Sequence, residues 1–277
     1  MEHPIWVTVL VNRLFGKLAL SLLAALHIKP SNPEYPIPNH VAMELLVFLL
    51  AAIFFLWLKK RISVDRPGGT QQCMETLLTN SMGVGVRDLL EDNVGHGADK
   101  YVAMLGSIGI FVLMNNLISL VPSLESPTAE KSVPLGLAIV VFVYYNWAGI
   151  AKHGVLGHGK HFLGPDMQMP FPVNLIIALL MLLIETVSNL ARLLSLTVRL
   201  WVNMLVSEML YVLFLGLLLE LYFYLGKLGA LGQAAAILPL GIPIIFIGLH
   251  IFVAVLQAFV FTILPVIYVA GAVAEEH

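Results

Sequence analysis

The sequence predicts an all-α integral membrane protein of about five crossings, with two long tilted C-terminal helices, the N-terminus outside and the C-terminus cytoplasmic. Three observations predict it. The 277 residues are 59% hydrophobic and 12% charged, with mean hydropathy +0.90, whereas soluble domains carry about 25% charged residues. Several apolar stretches reach the ~20 residues that a helix needs to cross the hydrocarbon. Basic clusters occur in alternate loops, and Lys and Arg gather on the cytoplasmic side. The net charge of −2 offers no concentrated basic face, so no nucleic-acid partner is expected. The single cysteine, Cys73, excludes an internal disulfide framework and a Cys-rich metal site.

The chain divides into three parts: an amphipathic helix and linker (1–38), three spans with a cytoplasmic surface helix (39–169), and a long helix pair (170–277). Ile5 to Leu26 reads as an amphipathic or weakly inserted helix, because Arg13 and Lys17 stand on one side among Val, Leu and Ile. A cleaved signal peptide is not expected: those charges interrupt the apolar stretch, and Ala24 to Leu26 is a poor cleavage site. The Pro-rich linker Pro30 to Pro38 cannot continue the helix. Asn39 is the expected N-cap of the first clear span, Val41 to Leu58, which Lys59, Lys60 and Arg61 close.

In the polar stretch that follows, Met74, Leu77, Leu78, Met82, Val86, Leu89 and Leu90 recur at helical spacing and predict a short helix on the inner surface. The second span, Tyr101 to Val121, returns outward and carries Asn115, Asn116 and Ser119 at its far end. A third, Pro134 to Ile150, leads to an inner loop with Lys152, His153, Lys160 and His161. Gly154 to Lys160 imitates a phosphate-binding loop, but His161 replaces the Ser or Thr that would hold magnesium and no strand precedes it. His153, His158 and His161 have no carboxylate or Cys within their cluster and read as an ordinary loop. No nucleophile–base pair, metal-ligand set or cofactor fingerprint appears, so no catalytic residue, metal or cofactor is expected in this chain.

The long helix, Val173 to Tyr224, contains no proline. At 1.5 Å per residue it would run roughly 75 Å against a core of about 30 Å, so a strongly tilted, bent helix is expected. A loop, Gly226 to Gln233, turns into the last segment, Ala234 to Ala270, also too long for an upright span. Glu185, Ser188, Arg192, Ser195, Arg199 and Asn203 follow steps of three and four and form one polar stripe. Each charge costs roughly 2.5–3.5 kcal/mol at the bilayer centre, so the stripe faces protein or water. It reads as an ion path, or as an apolar contact with one charged station.

Glu208 stands nine residues after Arg199, on nearly the opposite side, where it can meet the face of the last helix that carries His250, Gln257 and Tyr268. Pro265 predicts a kink there. A carboxylate and an imidazole close together in a membrane make a proton relay, or alternatively a satisfied polar pair. Arg199 cannot carry protons, because a guanidinium stays charged. It reads as a fixed charge that favours the ionised form of a passing carboxylate and repels leaking cations, or as a snorkelling side chain.

Ser195-Leu-Thr-Val-Arg199-Leu-Trp-Val-Asn203-Met, Glu208, and His250 with Gln257-Ala-Phe-Val-Phe resemble subunit a of the rotary F-type ATP synthase, most closely the bacterial form. The likeness runs from Asn39-His40 through Lys160 to Pro165 and on to the C-terminal end. It implies a stator subunit of the bacterial cell inner membrane that faces a ring of c subunits, contacts the peripheral-stalk b subunits and holds two proton half-channels. Arg199 matches the essential arginine that meets the ring carboxylate. Glu208, His250, Gln257, Asn203 and Asn116 match residues of the outer half-channel and the arginine's surroundings. Glu185 and Ser195 match the cytoplasmic side. Val202 stands where Gly or Ala is frequent, which tightens the contact beside Arg199. Ser119 stands where Asp is frequent, so the second span is not expected to supply an acidic proton site. The rival reading, a self-contained proton- or sodium-coupled secondary transporter, would call for two repeated halves with broken helices, and no such repeat is visible.

Overall fold

The computed structural model describes residues 4–30, 32–63, 66–78, 85–95, 97–121, 123–163, 173–227 and 241–273. Among them the chain forms eight α-helices: α1 (Trp6–Ala25), α2 (Asn39–Lys59), α3 (Gly69–Leu78), α4 (Val86–Val94), α5 (Asp99–Leu117), α6 (Ser132–Leu163), α7 (Val173–Gly226) and α8 (Gly241–Val273). Two short 3-10 turns, Ile118–Leu120 and Pro127–Ala129, follow α5. Six of the helices are long and apolar enough to cross a membrane. The sixth, beyond the five expected, is α1, whose exposed Arg13 and Lys17 had suggested a surface helix.

Contacts divide the chain into two compact units. The first gathers Met1–Lys59, Ile110–Val133 and Leu200–Ala258; the second gathers Lys60–Gly109, Pro134–Arg199 and Phe259–His277. In the first unit, α1 is bound to the linker and α2. Asn12 donates to the Ile37 carbonyl and accepts from the Ile37 N–H, both at 2.9 Å. Asn39 opens α2 as its first residue, and its side-chain oxygen accepts from the Thr8 hydroxyl at 2.8 Å. The residue expected to cap α2 is thus its first helical residue, and its side chain ties down the neighbouring helix. Beneath these bonds Val7, Ile37, Ala42, Met43, Val47 and Ile118 form a buried apolar core. This burial offsets the ordering cost of a linker rich in proline.

In the second unit the single surface helix expected from Met74 to Leu90 is two helices, α3 and α4; Met82 lies outside the described residues. Arg87 of α4 bonds Glu91 at 2.7 Å and meets Asp99, the first residue of α5, at 3.3 Å. The hydrogen bond to Glu91, with the charge of Asp99, holds its guanidinium above the ordinary arginine range. The inner loop expected after Ile150 is helical instead, because α6 runs on to Leu163. It is broken at Gly154, where φ is 73°, a left-handed value that glycine tolerates and other residues resist. Gly109 of α5 approaches α8 so closely that a Cβ there would collide with the Thr262 hydroxyl.

Helix α7 is unbroken over 54 residues, about 80 Å at 1.5 Å per residue. Neither proline nor glycine interrupts it before Gly216. Its buried residues include Asn189, Leu196, Leu200, Met204 and Ser207, which recur at helical spacing along one stripe. Leu190, Leu194, Val198, Val202 and Val206 form an exposed apolar stripe. Helix α8 continues through Pro265; proline has no N–H to give the Phe261 carbonyl. Residues 234–240, the expected start of this segment, and the loop from 228 lie outside the described residues.

Candidate functional site

Polar side chains gather at one place within each unit. In the first unit, Glu208 of α7 and His250 of α8 line a cavity of about 130 Å³ together with Ser119 and Tyr211. The relay pair read from the sequence is thus brought to one cavity. Glu208 accepts from the Ser126 N–H at 3.0 Å. His250 is buried, with both ring nitrogens engaged. Its Nε2 lies 3.2 Å from the Asn116 carbonyl and 3.0 Å from the Ser119 hydroxyl; its Nδ1 lies 2.8 Å from the Ser207 hydroxyl. A carbonyl can only accept, so in the neutral imidazole Nε2 carries the proton and Nδ1 accepts from Ser207.

A lattice of neutral groups fixes these two residues. The Ser126 hydroxyl donates to the Asn115 carbonyl at 3.0 Å and meets the Thr128 hydroxyl at 2.7 Å. Thr128 donates to the Asn116 side-chain oxygen at 2.6 Å. Asn116 is fully buried, and its amide reaches the Ala254 carbonyl at 3.5 Å. The 3-10 turn that begins at Pro127 therefore connects the anchor of Glu208 with the anchor of His250. Nearby, Asn203 donates to the Gln257 side-chain oxygen at 2.8 Å. The Gln257 amide nitrogen is buried with no partner among the described residues.

In the second unit the polar stripe of α7 breaks into short-range pairs. Arg192 meets Glu185 at 3.4 Å and lies 5.4 Å from the Tyr268 ring centre. That distance is within the range of a cation–π contact. Tyr268 packs against Tyr145, whose hydroxyl donates to Asn189. Asn189 donates in turn to Asn146 at 3.3 Å. Arg199 donates to the Ser195 hydroxyl at 3.3 Å, one turn back on the same helix. Arg199 is partly exposed and Ser195 exposed.

Several residues of both clusters escaped the sequence reading. Ser207 continues the stripe one turn beyond Asn203, a signal that was available. Asn189, rather than Ser188, makes the buried contact, one step off the stripe. The sequence singles out Ser119 only as standing where Asp is frequent, with no acidic proton site expected from the second span, yet it contacts His250 directly. Ser126 and Thr128 lie in a loop, where periodicity gives no signal.

The chain matches the family model described as "ATP synthase A chain" over residues 41–270. It is 36% identical over 277 residues to ATP synthase subunit a of Koribacter versatilis, covering 100% of both chains. It is 40% identical over 242 residues to ATP synthase subunit a of Solibacter usitatus, covering 87% of this chain and 90% of that one. With ATP synthase subunit a of Aquifex aeolicus it shares 34% identity over 241 residues, covering 86% of this chain and 99% of that one. Together with its six apolar helices, these matches mean that the chain belongs to the subunit a family of the F-type ATP synthase, a multi-pass component of its membrane sector.

Proposed function

We propose that this chain is the stator that passes protons across a bacterial inner membrane through two half-channels beside a ring of c subunits, with b subunits as its peripheral-stalk partners. The observation that supports this most is the cavity shared by Glu208, His250 and Ser119 between otherwise apolar helices. A half-buried carboxylate and a buried imidazole set around a space large enough for water suit stepwise proton transfer. Asn116, Asn203 and Gln257 hold this half-channel in shape, and Glu185 and Ser195 belong to the second. Arg199 supplies the fixed charge that strips a proton from the ring carboxylate and bars a direct leak. The segment 170–277 faces the ring, and the exposed apolar stripe of α7 suits such a neighbour. Each elementary charge crossing 100 mV releases about 2.3 kcal/mol. Family membership leaves the self-contained transporter without support.

Passive proton flux through the membrane sector, with the catalytic head removed and the potential fixed, tests the proposal. Glu208→Gln keeps the side-chain shape and is expected to lower flux at least about tenfold. Unchanged flux in a normally assembled complex would remove the half-channel from this site.

A further inference from the structure

Three hollows meet at Glu208, and their linings differ. One contains His250. A second, about 610 Å³, is lined by Leu124, Leu205, Met209, Val212 and Leu213 alongside Ser119, Glu125, Tyr211 and Glu208 itself. Its mostly apolar wall suits acyl chains or an apolar helix better than water. The third, about 200 Å³, has polar groups from several elements: Asn39 and His40 from the start of α2, and Glu125, Ser126 and Glu130 from the connection between α5 and α6.

Resting on the reading above, we propose that this third cavity is the aqueous mouth of the half-channel, where His40, Glu125 and Glu130 collect protons and deliver them to Glu208. The charged and titratable groups on its wall are His40 from α2, Glu125 and Glu130 from the connection, and Glu208 from α7; neither lysine nor arginine lines it. Three carboxylates around one small space concentrate cations and raise their rate of arrival. An imidazole can accept a proton on one ring nitrogen and release one from the other. Glu208 is the common wall of the mouth and the His250 cavity. One of its oxygens is anchored on the mouth side by the Ser126 N–H at 3.0 Å. A proton leaves water or the His40 imidazolium, joins the Glu208 carboxylate and passes on toward His250; no other bond changes.

The test uses the assembled complex carrying Cys73→Ser, with passive proton flux as one readout. Ala129→Cys places a thiol on the mouth wall. A cationic methanethiosulfonate is expected to label it about tenfold faster than an anionic one of similar size, and labelling is expected to stop flux. Equal labelling rates, or labelling without loss of flux, would overturn the proposal. Glu125→Gln with Glu130→Gln keeps the shape of the mouth. It is expected to lower flux roughly threefold to tenfold at low ionic strength and much less at high salt, because steering is screened. A loss independent of salt would mean a structural role and would also overturn it. His40→Gln is expected to lower flux severalfold, and unchanged flux would overturn the place of His40 in the route. If Glu208→Gln lowers flux while every mouth variant behaves as the parent, this inference alone fails; if Glu208→Gln has no effect, the function reading fails with it.

Discussion

Glu208 and Glu185 stand on the same helix, but α7 carries them into two different chemical settings. In the first unit Glu208 meets a backbone N–H and lines cavities with His250 and His40. Its neighbours there are hydroxyls, amides and imidazoles, which can pass or hold a proton. In the second unit Glu185 faces the guanidinium of Arg192, which also lies against the Tyr268 ring. A guanidinium keeps its charge. On the proposed function, one cluster changes charge and the other keeps it. The difference shows that the charged residues of one membrane helix are not one functional object: the meaning of each depends on the side chains packed around it.

The largest expected effect separates the two arginines of the stripe. Arg199→Ala should abolish coupled ATP synthesis in membrane vesicles, a fall of about 100-fold or more, with assembly retained. Arg192→Gln should cost only a few-fold, because its partner is an internal carboxylate. Equal losses in well-assembled complexes would erase the distinction between a coupling charge and a paired one.

Next in size is the behaviour of Glu208 with His250. His250→Ala should slow passive flux as Glu208→Gln does, and the double variant should be no slower than the worse single one. Groups that act in series are non-additive in this way. Two effects that multiply would assign the residues separate tasks.

A smaller effect is expected from the lattice between them. Thr128→Val removes the hydroxyl that satisfies the buried Asn116 oxygen, a loss of about 1–3 kcal/mol. It should lower flux several-fold less severely than Glu208→Gln, and Thr128→Ser should restore the parent behaviour. No rescue by serine would mean that shape, not the hydrogen bond, matters at this turn.

The smallest effect concerns the second unit. Glu185→Gln leaves Arg192 without its carboxylate, and adding Arg192→Gln should recover part of the loss. The pair is only partly buried, with side-chain exposures of 34% and 36%, so water screens it and its coupling should be within about 1 kcal/mol. A double-mutant cycle on synthesis rate and assembly measures this; zero coupling would mean that the contact carries nothing.

The face of α7 opposite its buried stripe can be checked by cysteine labelling in the Cys73→Ser background. Ser195 and Asn203 positions should react or cross-link, and Leu200, fully buried, should not. Leu194 lies off the polar stripe by helical spacing, which by itself predicts that it stays silent. It is 59% exposed, so it belongs with the face open to lipid or to a neighbouring subunit.

Composition and periodicity by themselves determined the membrane class, the main spans and the length of α7, because hydrocarbon thickness and helical rise are constants that any apolar run must obey. The same spacing put Glu208 on the other side of the helix from Arg199 and toward His250. Other features were decided only by the tertiary structure. Whether α1 was a surface helix or a partner of α2 depended on Asn12 meeting Ile37. The roles of Ser119, Ser126 and Thr128 depended on a turn with no periodic signal that lies between Glu208 and His250. Local pattern records which face of a helix is polar. It cannot record which distant segment satisfies that face, because a buried hydrogen bond is a property of two places in the chain at once.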